Sequence, residues 1–563
     1  MKLPCCKAEE YEWCKDLETV FTDEEGKEYC VFHAPQGKKG ISLDEFNTLV
    51  FNRIEDVKKF NEDTPENPQT CNFRGTIFEG DIDFIEKVLP PIAFGWAQFS
   101  GNAHFREAKF SGYADFGEAQ FSGYADFRDA QFSGNADFGA AQFSGKAYFG
   151  DAQFSGNAYF GSAQFSGEAD FGSAQFSEET HFRDAQFSGK AYFGKAQFSG
   201  NAYFGAAQFS GKAYFGEAQF SGYAYFWRTQ FSGEAAFWSA QFSGNADFRD
   251  AQFSEETHFR DAQFSGNAYF GSAQFSEETD FMEAKFSGEA DFGSAQFSGK
   301  AGFRAAQFSG KSLFDATTFK DVVEFNNIKI TESPLFENVN LEKVCFVDTD
   351  VRKIDFINCT WGEREGHYAV YDETKISPSS GILEYLKSLW KIPEDKEKII
   401  EKTETVYRRL KQRYKENHNE FEASIWHYSE KEMQRKRSCL RHLFDWLFIH
   451  LYWISSGYGE RPLRSFVVLL ALVGTACIVL PFFPLQGNGI AENLKFTGWI
   501  NTFSSEEHVK AVILSVFQYI TLQRETILSP NTLDGAFIKY AAQFFIPIQA
   551  ALFFFALRNR FKK

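Results

Sequence analysis

An eleven-residue phrase recurs through the middle of this sequence without insertion or deletion. Its first full copy runs from Ala97 to Glu107 and reads AQFSGNAHFRE. New copies begin every eleven residues up to Ala306, which gives twenty copies ending at Ala316. A short fixed period predicts a solenoid, because each unit can bury its apolar face only against its neighbours. The middle of the chain is therefore expected to be one elongated body.

Each copy places a small residue two positions before an aromatic one, as in Ala97 and Phe99. Residues two apart in an extended strand share a face, so Ala and Phe should point inward and Gln, Asp or Tyr outward. The spacing between Phe residues alternates between six and five, as from Phe99 to Phe105 to Phe110. A helical period of 3.6 would scatter these rings around the helix. The pattern predicts a mainly β solenoid.

These Phe-centred units with Ser-Gly turns resemble the pentapeptide-repeat family, in a variant with an extra residue in alternate units. The resemblance implies a right-handed quadrilateral β-helix with four short strands per coil, so two phrases would form one coil. The Phe spacing continues less regularly on both sides of 97–316. We therefore predict a β-helix over 71–361.

Composition and charge limit the possible functions. The chain has 563 residues and a net charge of −18, with no apolar stretch near its start that would indicate a signal peptide. Nine cysteines, an odd number, do not suggest a secreted disulfide scaffold. The sequence contains neither a phosphate-binding loop nor a nucleophile–base pattern, so we do not expect an enzyme. Basic residues interleave with the acidic residues of the repeats. We therefore do not expect the repeats to bind nucleic acid or to imitate its charge.

The segment 1–34 contains a set of possible metal ligands. Cys30 and His33 have the two-residue spacing of a zinc knuckle, and Cys6 with Cys14 could supply the other half, with Cys5 as the alternative to Cys6. Structural zinc takes four Cys or His ligands and can fold a segment too small to fold alone. We predict zinc over 1–34; unrelated reduced thiols are the other interpretation.

Residues 35–70 are predicted to form a helical cap over the first coil. Ser42 as N-cap and Glu45 three residues later form a capping-box pattern, followed by apolar residues at helical spacing. Solenoids need an atypical terminal unit to cover the open end of the core. A packing role is therefore expected for this helix.

The C-terminal third alternates between helical and strongly apolar segments. Stripes at helical spacing predict a cytoplasmic helical region over 382–441, with helices joined near 417–419. A basic start followed by an aromatic-rich helix over 442–457 suits the membrane interface, or else a buried soluble helix. Two uncharged or nearly uncharged runs, 465–485 and 536–557, predict transmembrane helices.

Basic residues flank the start of the first predicted span and the end of the second, whereas the connecting loop has few. The positive-inside rule then places both termini and the β-helix in the cytoplasm. The expected location is the plasma membrane, which is the inner membrane in bacteria.

The apolar helix predicted over 509–522 is too short to cross a bilayer, which favours a re-entrant segment. The order span, short helix, polar turn, span resembles two-transmembrane pore-loop channels of the potassium-channel superfamily. Where that family has a Gly-Tyr-Gly-Asp filter, this chain has Gln523-Arg524-Glu525-Thr526, so potassium selectivity is not implied. The pore-loop candidates are Thr521, Leu522, Gln523, Arg524 and Glu525.

Three polar residues fall in or near the second span: Lys539, Gln543 and Gln549. Lys539 could snorkel to the interface, and the two glutamines could either bond neighbouring helices or line a pore. Two interpretations follow. One is a homo-oligomeric, lipid-embedded protein with a pore-loop-like, ion-conducting domain and the β-helix as sensor or vestibule. The other is a membrane-tethered scaffold whose β-helix binds protein partners.

Overall fold

The computed structural model describes residues 4–376, 390–488, 491, 495–496, 505–521, 523 and 526–561. It divides the chain into two units, Met1–Trp361 and Gly362–Lys563. The first unit is a β-helix with an N-terminal cap. The second is helical and carries the apolar segments.

The β-helix has four parallel sheets, which we number as faces 1 to 4 in the order in which the chain visits them. In the regular region, partners in a sheet occupy the same position of the phrase two copies apart, as Gln98 and Gln120 do. Two phrases therefore form one coil, and the four short strands per coil agree with the predicted quadrilateral β-helix. A 12-stranded face is about 50 Å long at roughly 4.8 Å per strand.

Most strands are only two residues long, and the faces have 14, 12, 13 and 12 strands. Face 1 has Cys71–Asn72, Ile92–Ala93, a strand in every second phrase from Ala114–Asp115 to Ala290–Asp291, Ser312–Asp315, Leu335–Glu337 and Asp355–Ile357. Face 2 has Ile77–Phe78, a strand in every second phrase from Gln98–Phe99 to Gln296–Phe297, and Thr318–Phe319. Face 3 has Ile82–Asp83, a strand in every second phrase from Ala103–His104 to Ala301–Gly302, Val323–Glu324 and Val344–Cys345. Face 4 has Val88–Leu89, a strand in every second phrase from Lys109–Phe110 to Gln307–Phe308, and Lys329–Ile330.

Four columns of phenyl rings fill the core of the β-helix. Within a column the rings are parallel: Phe99 and Phe121 have centroids 4.7 Å apart and planes 1° apart. This separation equals the spacing of hydrogen-bonded strands, so backbone pairing and ring stacking share one repeat. Different columns meet edge to face, as Phe105 and Phe116 do at 5.4 Å and 86°. The predicted inward placement of Ala and Phe is confirmed.

Some predicted outward positions are nevertheless buried. Asp115, Asp126 and Asp247 are 6%, 4% and 2% exposed. Each is covered because its carboxylate accepts a hydrogen bond from the backbone N–H two residues later and pairs with an arginine, as Asp126 does with Arg128 at 2.6 Å. The outward direction predicted for Asp therefore does not leave these three carboxylates exposed to solvent.

The corners of the coils are of two kinds. At one kind, a non-glycine residue adopts a positive φ, as Ala206 does at 57°. At the Ser-Gly corners the coils approach so closely that a Cβ on Gly145 would lie 2.3 Å from the carbonyl oxygen of Gly123. At Gly145 this contact between backbones, rather than the φ angle, favours glycine, whereas Glu178, Glu255 and Glu277 occupy the same position of the phrase in other copies.

An N-terminal cap closes the first coil. Helix α1, Leu43–Asp63, begins with the predicted capping box between Ser42 and Glu45. Its Phe46 ring packs on Phe78 of the first coil with centroids 5.9 Å apart. The residues before α1 form short 3₁₀ turns at Cys6–Ala8 and Glu12–Cys14 and a hairpin of Thr19–Thr22 with Glu28–Cys30.

The second unit begins with a hairpin of Gly362–Arg364 and His367–Ala369. Helices α2, Glu394–Glu416, and α3, Glu420–Arg437, follow and are joined at 417–419 as predicted. The part of the predicted helical region at 382–389 lies outside the described residues.

Four further helices and a small sheet follow among the described residues of the second unit. The helices are α4 (Leu443–Ser456), α5 (Pro462–Val479), α6 (Glu506–Ile520) and α7 (Leu533–Phe561). The sheet pairs Leu485–Gly487 with Lys495–Phe496 and with Leu528–Pro530, both antiparallel.

Two of these segments are long and apolar enough to cross a membrane: Pro462–Phe482, which is α5 with the short 3₁₀ turn after it, and Leu533–Phe561. The first ends before the predicted limit because Leu485 already belongs to the sheet. In each segment, only 22% of the 18-residue apolar stretch is buried within the protein.

Candidate functional site

The cap gathers four possible metal ligands in one place. Cys5, Cys14, Cys30 and His33 are all buried, and their ligand atoms all lie within 4.8 Å of one another. The Nδ1 atom of His33 lies 3.3 Å from the Sγ of Cys30 and 3.5 Å from the Sγ of Cys5. A tetrahedral zinc ion with ordinary bond lengths would place sulfur and nitrogen ligands about 3.5 Å apart, so the cluster has the dimensions of such a site.

Short local elements position the four side chains. Cys30 ends the second strand of the hairpin, and the backbone N–H of His33 donates to the Cys30 carbonyl at 3.0 Å, which folds the knuckle. Cys14 ends the 3₁₀ turn that starts at Glu12. Cys5 immediately precedes the turn Cys6–Ala8. The four ligands thus come from three separate pieces of chain, brought together by the cap.

The surroundings of His33 determine which ring nitrogen faces the sulfurs. Its Nε2 lies 3.0 Å from the carbonyl oxygen of Arg74, which suits an N–H donor there and leaves Nδ1 with its lone pair toward the cysteines. Metal-binding histidines usually donate their other N–H to a carbonyl or carboxylate in this way. The rings of Tyr11 and Trp13 lie 5.4 and 5.2 Å from the imidazole and exclude water from it.

The thiols of the cluster affect one another's pKa. Hydrogen bonds from Cys14 and Cys30 hold the pKa of Cys5 well below its usual range, while hydrogen bonds to Cys30 and Cys5 raise the pKa of Cys14. The backbone N–H of Cys30 also points at the Sγ of Cys5 at 3.4 Å. The cluster therefore favours a thiolate at Cys5, and thiolate is the form of cysteine that binds metal.

One predicted ligand needs correction. Cys6 was the first choice and Cys5 the alternative, but the cluster contains Cys5 and not Cys6. The 3₁₀ turn that begins at Cys6 directs its side chain away from the cluster, to a half-buried position near Tyr29. Neighbouring residues at the start of a turn point in different directions, and the sequence alone does not reveal which one faces inward.

The short helix α6 packs between the two apolar segments. Val516 and Tyr519 of α6 are buried in one cluster with Leu469 of α5 and Ile546 of α7. Its opposite face is apolar and exposed, with Ile513, Leu514 and Phe517 at 42%, 49% and 54% exposure.

Of the pore-loop candidates, Leu522, Arg524 and Glu525 lie outside the described residues. Thr521 follows the last residue of α6 as its C-cap, and its hydroxyl donates to the Gln518 carbonyl at 3.0 Å. The carbonyl of Gln523 accepts a hydrogen bond from Gln543 at 3.3 Å, which ties the turn to α7.

The polar residues of α7 bond within the subunit. Gln549 is 3% exposed, and its Nε2 lies 2.7 Å from the Ser455 carbonyl and 2.9 and 3.0 Å from the carbonyl and hydroxyl oxygens of Ser465. It therefore joins α4, α5 and α7. Lys539 is buried and donates to the Ser529 hydroxyl at 3.1 Å.

Sequence reasoning missed a buried polar network in the second unit. The Glu373 carboxylate lies 3.1 Å from the Nε2 of His367 and 2.8 Å from the Nζ of Lys436, and it also accepts from the Tyr407 hydroxyl. Burial alone would raise the pKa of Glu373, but His367 and Lys436 outweigh it and lower the pKa to about 2. These partners are up to 63 residues apart, so no local motif could have indicated the network.

The fold of the first unit, a parallel four-sided β-helix built from a short repeat, defines a class of solenoid proteins. Within that class, a family model described as pentapeptide repeats in nine copies matches this chain in overlapping segments between residues 94 and 285. The match confirms the predicted resemblance of the repeats, and it does not extend to the C-terminal helices. No curated protein and no solved structure matches the chain.

Proposed function

We propose that the second unit is embedded in a membrane as a pore-loop-like module, and that several subunits assemble around it. In this proposal the β-helix lies in the cytoplasm as a sensor or vestibule, together with both termini, and the chain has no catalytic activity.

The membrane part of the proposal is supported by how little of the apolar segments is covered. On α5, Val467 and Leu470 are 56% and 53% exposed, and on α7, Phe537 and Phe544 are 75% and 62% exposed. A core helix of a soluble protein buries such residues, whereas lipid accepts them at no cost. The apolar surface is too large to be left in water.

One observation carries the pore-loop part, namely the position of α6. This helix has 15 residues and is about 22 Å long, too short for a hydrocarbon core of about 30 Å. It nevertheless packs against both apolar segments through Val516 and Tyr519. Its exposed apolar face offers a surface for neighbouring subunits. Two spans cannot enclose a pathway, so conduction requires such an assembly.

Reconstitution tests this proposal. The purified chain should elute from size exclusion in detergent as an oligomer and should give currents in planar bilayers. Arg524→Glu, in the polar turn predicted after α6, should change the size or ion preference of the currents. Lys510→Glu reverses the same charge at the other end of α6 and serves as the matched control. An oligomer without currents, or currents that respond equally to both substitutions, would contradict a pore at this turn.

A tethered scaffold is the second candidate, and two observations favour it. The side chain of Gln549, which could have lined a pore, donates within one subunit, and so does that of Lys539. On the β-helix, Trp227 and Trp238 are 40% and 43% exposed, and exposed tryptophan is characteristic of protein-binding surfaces. A monomeric chain without currents would support this candidate over the first.

We also propose that Cys5, Cys14, Cys30 and His33 hold a structural zinc ion. Four protein ligands would leave no open position for a substrate, which is the arrangement of structural rather than catalytic zinc. The ion would tie together the three pieces of chain that carry the ligands and so hold the cap on the first coil.

A further inference from the structure

Four arginines lie at one end of the two apolar segments: Arg461 and Arg464 at the start of α5, and Arg558 and Arg560 at the end of α7. Among the described residues, none of them forms an ion pair with a carboxylate. The arginines of the α2–α3 hairpin behave differently. Arg408 pairs with Glu404 and Glu430, and Arg435 pairs with Glu432. The arginines at the helix ends therefore keep their charge available for an anion from outside the chain.

Three of the four line one cavity of about 640 Å³: Arg461, Arg464 and Arg560. Glu460 is the only acid among the described residues that line this cavity, so its walls carry a net positive charge. The N-terminus of α5 lies at the same place, where the N–H groups of Leu463 and Arg464 are too early in the helix to have a partner within it. Guanidinium groups and a helix N-terminus together favour a phosphate.

Two of these guanidinium groups are held in place on one side. Arg464 donates to the Trp453 carbonyl at 3.1 Å and lies over the Trp453 ring at 5.1 Å. Arg461 donates to the Gly366 carbonyl at 2.9 Å and lies over the Tyr428 ring. A guanidinium has five N–H donors, so donors remain on both groups for a ligand. Because the groups are already positioned, a ligand would lose little side-chain entropy in binding them.

The cavity also has an apolar wall that opens to the outside. Leu463 and Val467 belong to it and are 75% and 56% exposed. A free phosphate ion gains nothing from this wall, whereas a phospholipid places its phosphate next to its acyl chains. The cavity thus has a cationic part next to an apolar part. A phospholipid has the matching arrangement, with its charged headgroup next to its acyl chains.

We infer that this cavity binds an anionic phospholipid, with the phosphodiester on Arg461, Arg464 and Arg560 and an acyl chain along Leu463 and Val467. The inference rests on the proposed membrane location of α5 and α7. It adds a specific lipid class and a specific site to that location, since embedding alone requires no preference among headgroups.

The test uses the full-length protein in detergent with equal amounts of dioleoyl phosphatidylglycerol and dioleoyl phosphatidylcholine. Native mass spectrometry counts the lipid molecules that stay bound. We expect phosphatidylglycerol to be retained at least about tenfold over phosphatidylcholine, a difference of about 1.4 kcal/mol. Both lipids present a phosphodiester to the arginines, but phosphatidylcholine also brings a quaternary ammonium that the three arginines repel. Arg560→Gln and Arg464→Gln should each remove most of this preference.

Arg558→Gln is the matched control. It removes the same charge from the same end of α7, but Arg558 does not line the cavity. This variant should keep the preference, and an equal loss in all three variants would reveal general charge attraction and overturn the site. Equal retention of both lipids by the wild type would overturn it as well, and so would displacement of phosphatidylglycerol by inorganic phosphate. The unchanged elution volume of each variant verifies that it is folded.

Failure of the membrane proposal gives a different result. A chain that is released from membranes by alkaline carbonate contradicts the embedding of α5 and α7. A chain that stays in the membrane but shows no headgroup preference contradicts only the lipid site.

Discussion

The Nε2 of His33 lies 3.0 Å from the carbonyl oxygen of Arg74. His33 belongs to the cysteine-rich segment, and Arg74 lies in the first coil of the β-helix, just after the strand Cys71–Asn72. The candidate metal centre is therefore joined directly to the end of the solenoid that the cap has to close. The indole N–H of Trp13 donates to the same carbonyl at 3.3 Å and strengthens this link.

Zinc binding should depend on Cys5 and not on Cys6. The wild type should contain about one zinc ion per chain, as expected for a four-ligand structural site. Cys5→Ser should lose most of this zinc, because a ligand of the cluster is removed, and amide hydrogen exchange in the cap should become faster. Inductively coupled plasma mass spectrometry measures the metal. Cys6→Ser, one residue away, should keep the zinc. Loss of zinc in Cys6→Ser but not in Cys5→Ser would contradict the assignment of Cys5 as the ligand. A wild type without metal would refute the zinc proposal.

The corner at Gly145 should resist a side chain. Gly145→Ala would bring a Cβ to 2.3 Å from the Gly123 carbonyl oxygen, so the coils must separate. We expect a loss of about 1–3 kcal/mol, comparable to overpacking a core. Thermal unfolding followed by circular dichroism measures it.

Gly205→Ala is the control for this corner. Its Cβ would lie 3.6 Å from the nearest atom, the Trp227 carbonyl oxygen, which is ordinary contact. The substitution should leave stability unchanged or raise it by up to about 1 kcal/mol, because alanine reduces the freedom of the unfolded chain. Equal losses at Gly145 and Gly205 would show that the close approach of the coils is not what requires glycine.

The buried Glu373 should make the second unit sensitive to acid. Its pKa falls from an ordinary 4.5 to about 2 on folding, so the folded state favours the ionised carboxylate. The resulting stabilisation, about 3 kcal/mol, is complete above pH 4.5 and disappears as the pH falls toward 2. Pulsed hydrogen exchange in urea, read on peptides of α2 and α3, measures it.

Glu373→Gln supplies the comparison. The variant should be less stable than the wild type at pH 7, and the difference should shrink between pH 4.5 and 2, because the wild-type carboxyl becomes neutral there. A difference that does not change with pH would mean that the charge of Glu373 contributes nothing.

The two glutamines of α7 should differ in importance. Gln549→Leu removes the donor that serves the Ser455 carbonyl and the carbonyl and hydroxyl oxygens of Ser465 in an apolar setting. We expect a destabilisation of about 1 kcal/mol, typical of hydrogen bonds between membrane helices. Gln543→Leu loses one longer bond to the Gln523 carbonyl and should matter less. Thermal unfolding in detergent compares them, and a greater effect at Gln543 would contradict the bonding role of Gln549.

The repeat was predictable because every contact that defines it is local in the solenoid. Phe99 meets Phe121 one coil away, and the same relation recurs for each copy, so the period alone implies the stacking. The capping box at Ser42 was predictable for a similar reason, since it involves only neighbouring residues. The buried Asp115 was not, because its partner Arg74 lies 41 residues earlier.

The contacts of the polar side chains could not be predicted, because the residue pattern does not show in which direction each side chain points. Cys5 and Cys6 are the same residue type in adjacent positions, and only the turn after Cys5 determines which thiol enters the cluster. Gln549 could have faced a pore or a neighbouring helix, and the rotation of α7 places it against Ser465.

By itself, the order of residues determined the β-helix, the capped helix and the two apolar segments, because period, capping and hydrophobicity act between residues that are close in the chain or one coil apart. The tertiary structure alone decided which cysteine joins His33, that Glu373 meets Lys436, and that three arginines share one cavity. Those contacts join residues far apart in the chain, and their geometry depends on how complete elements pack.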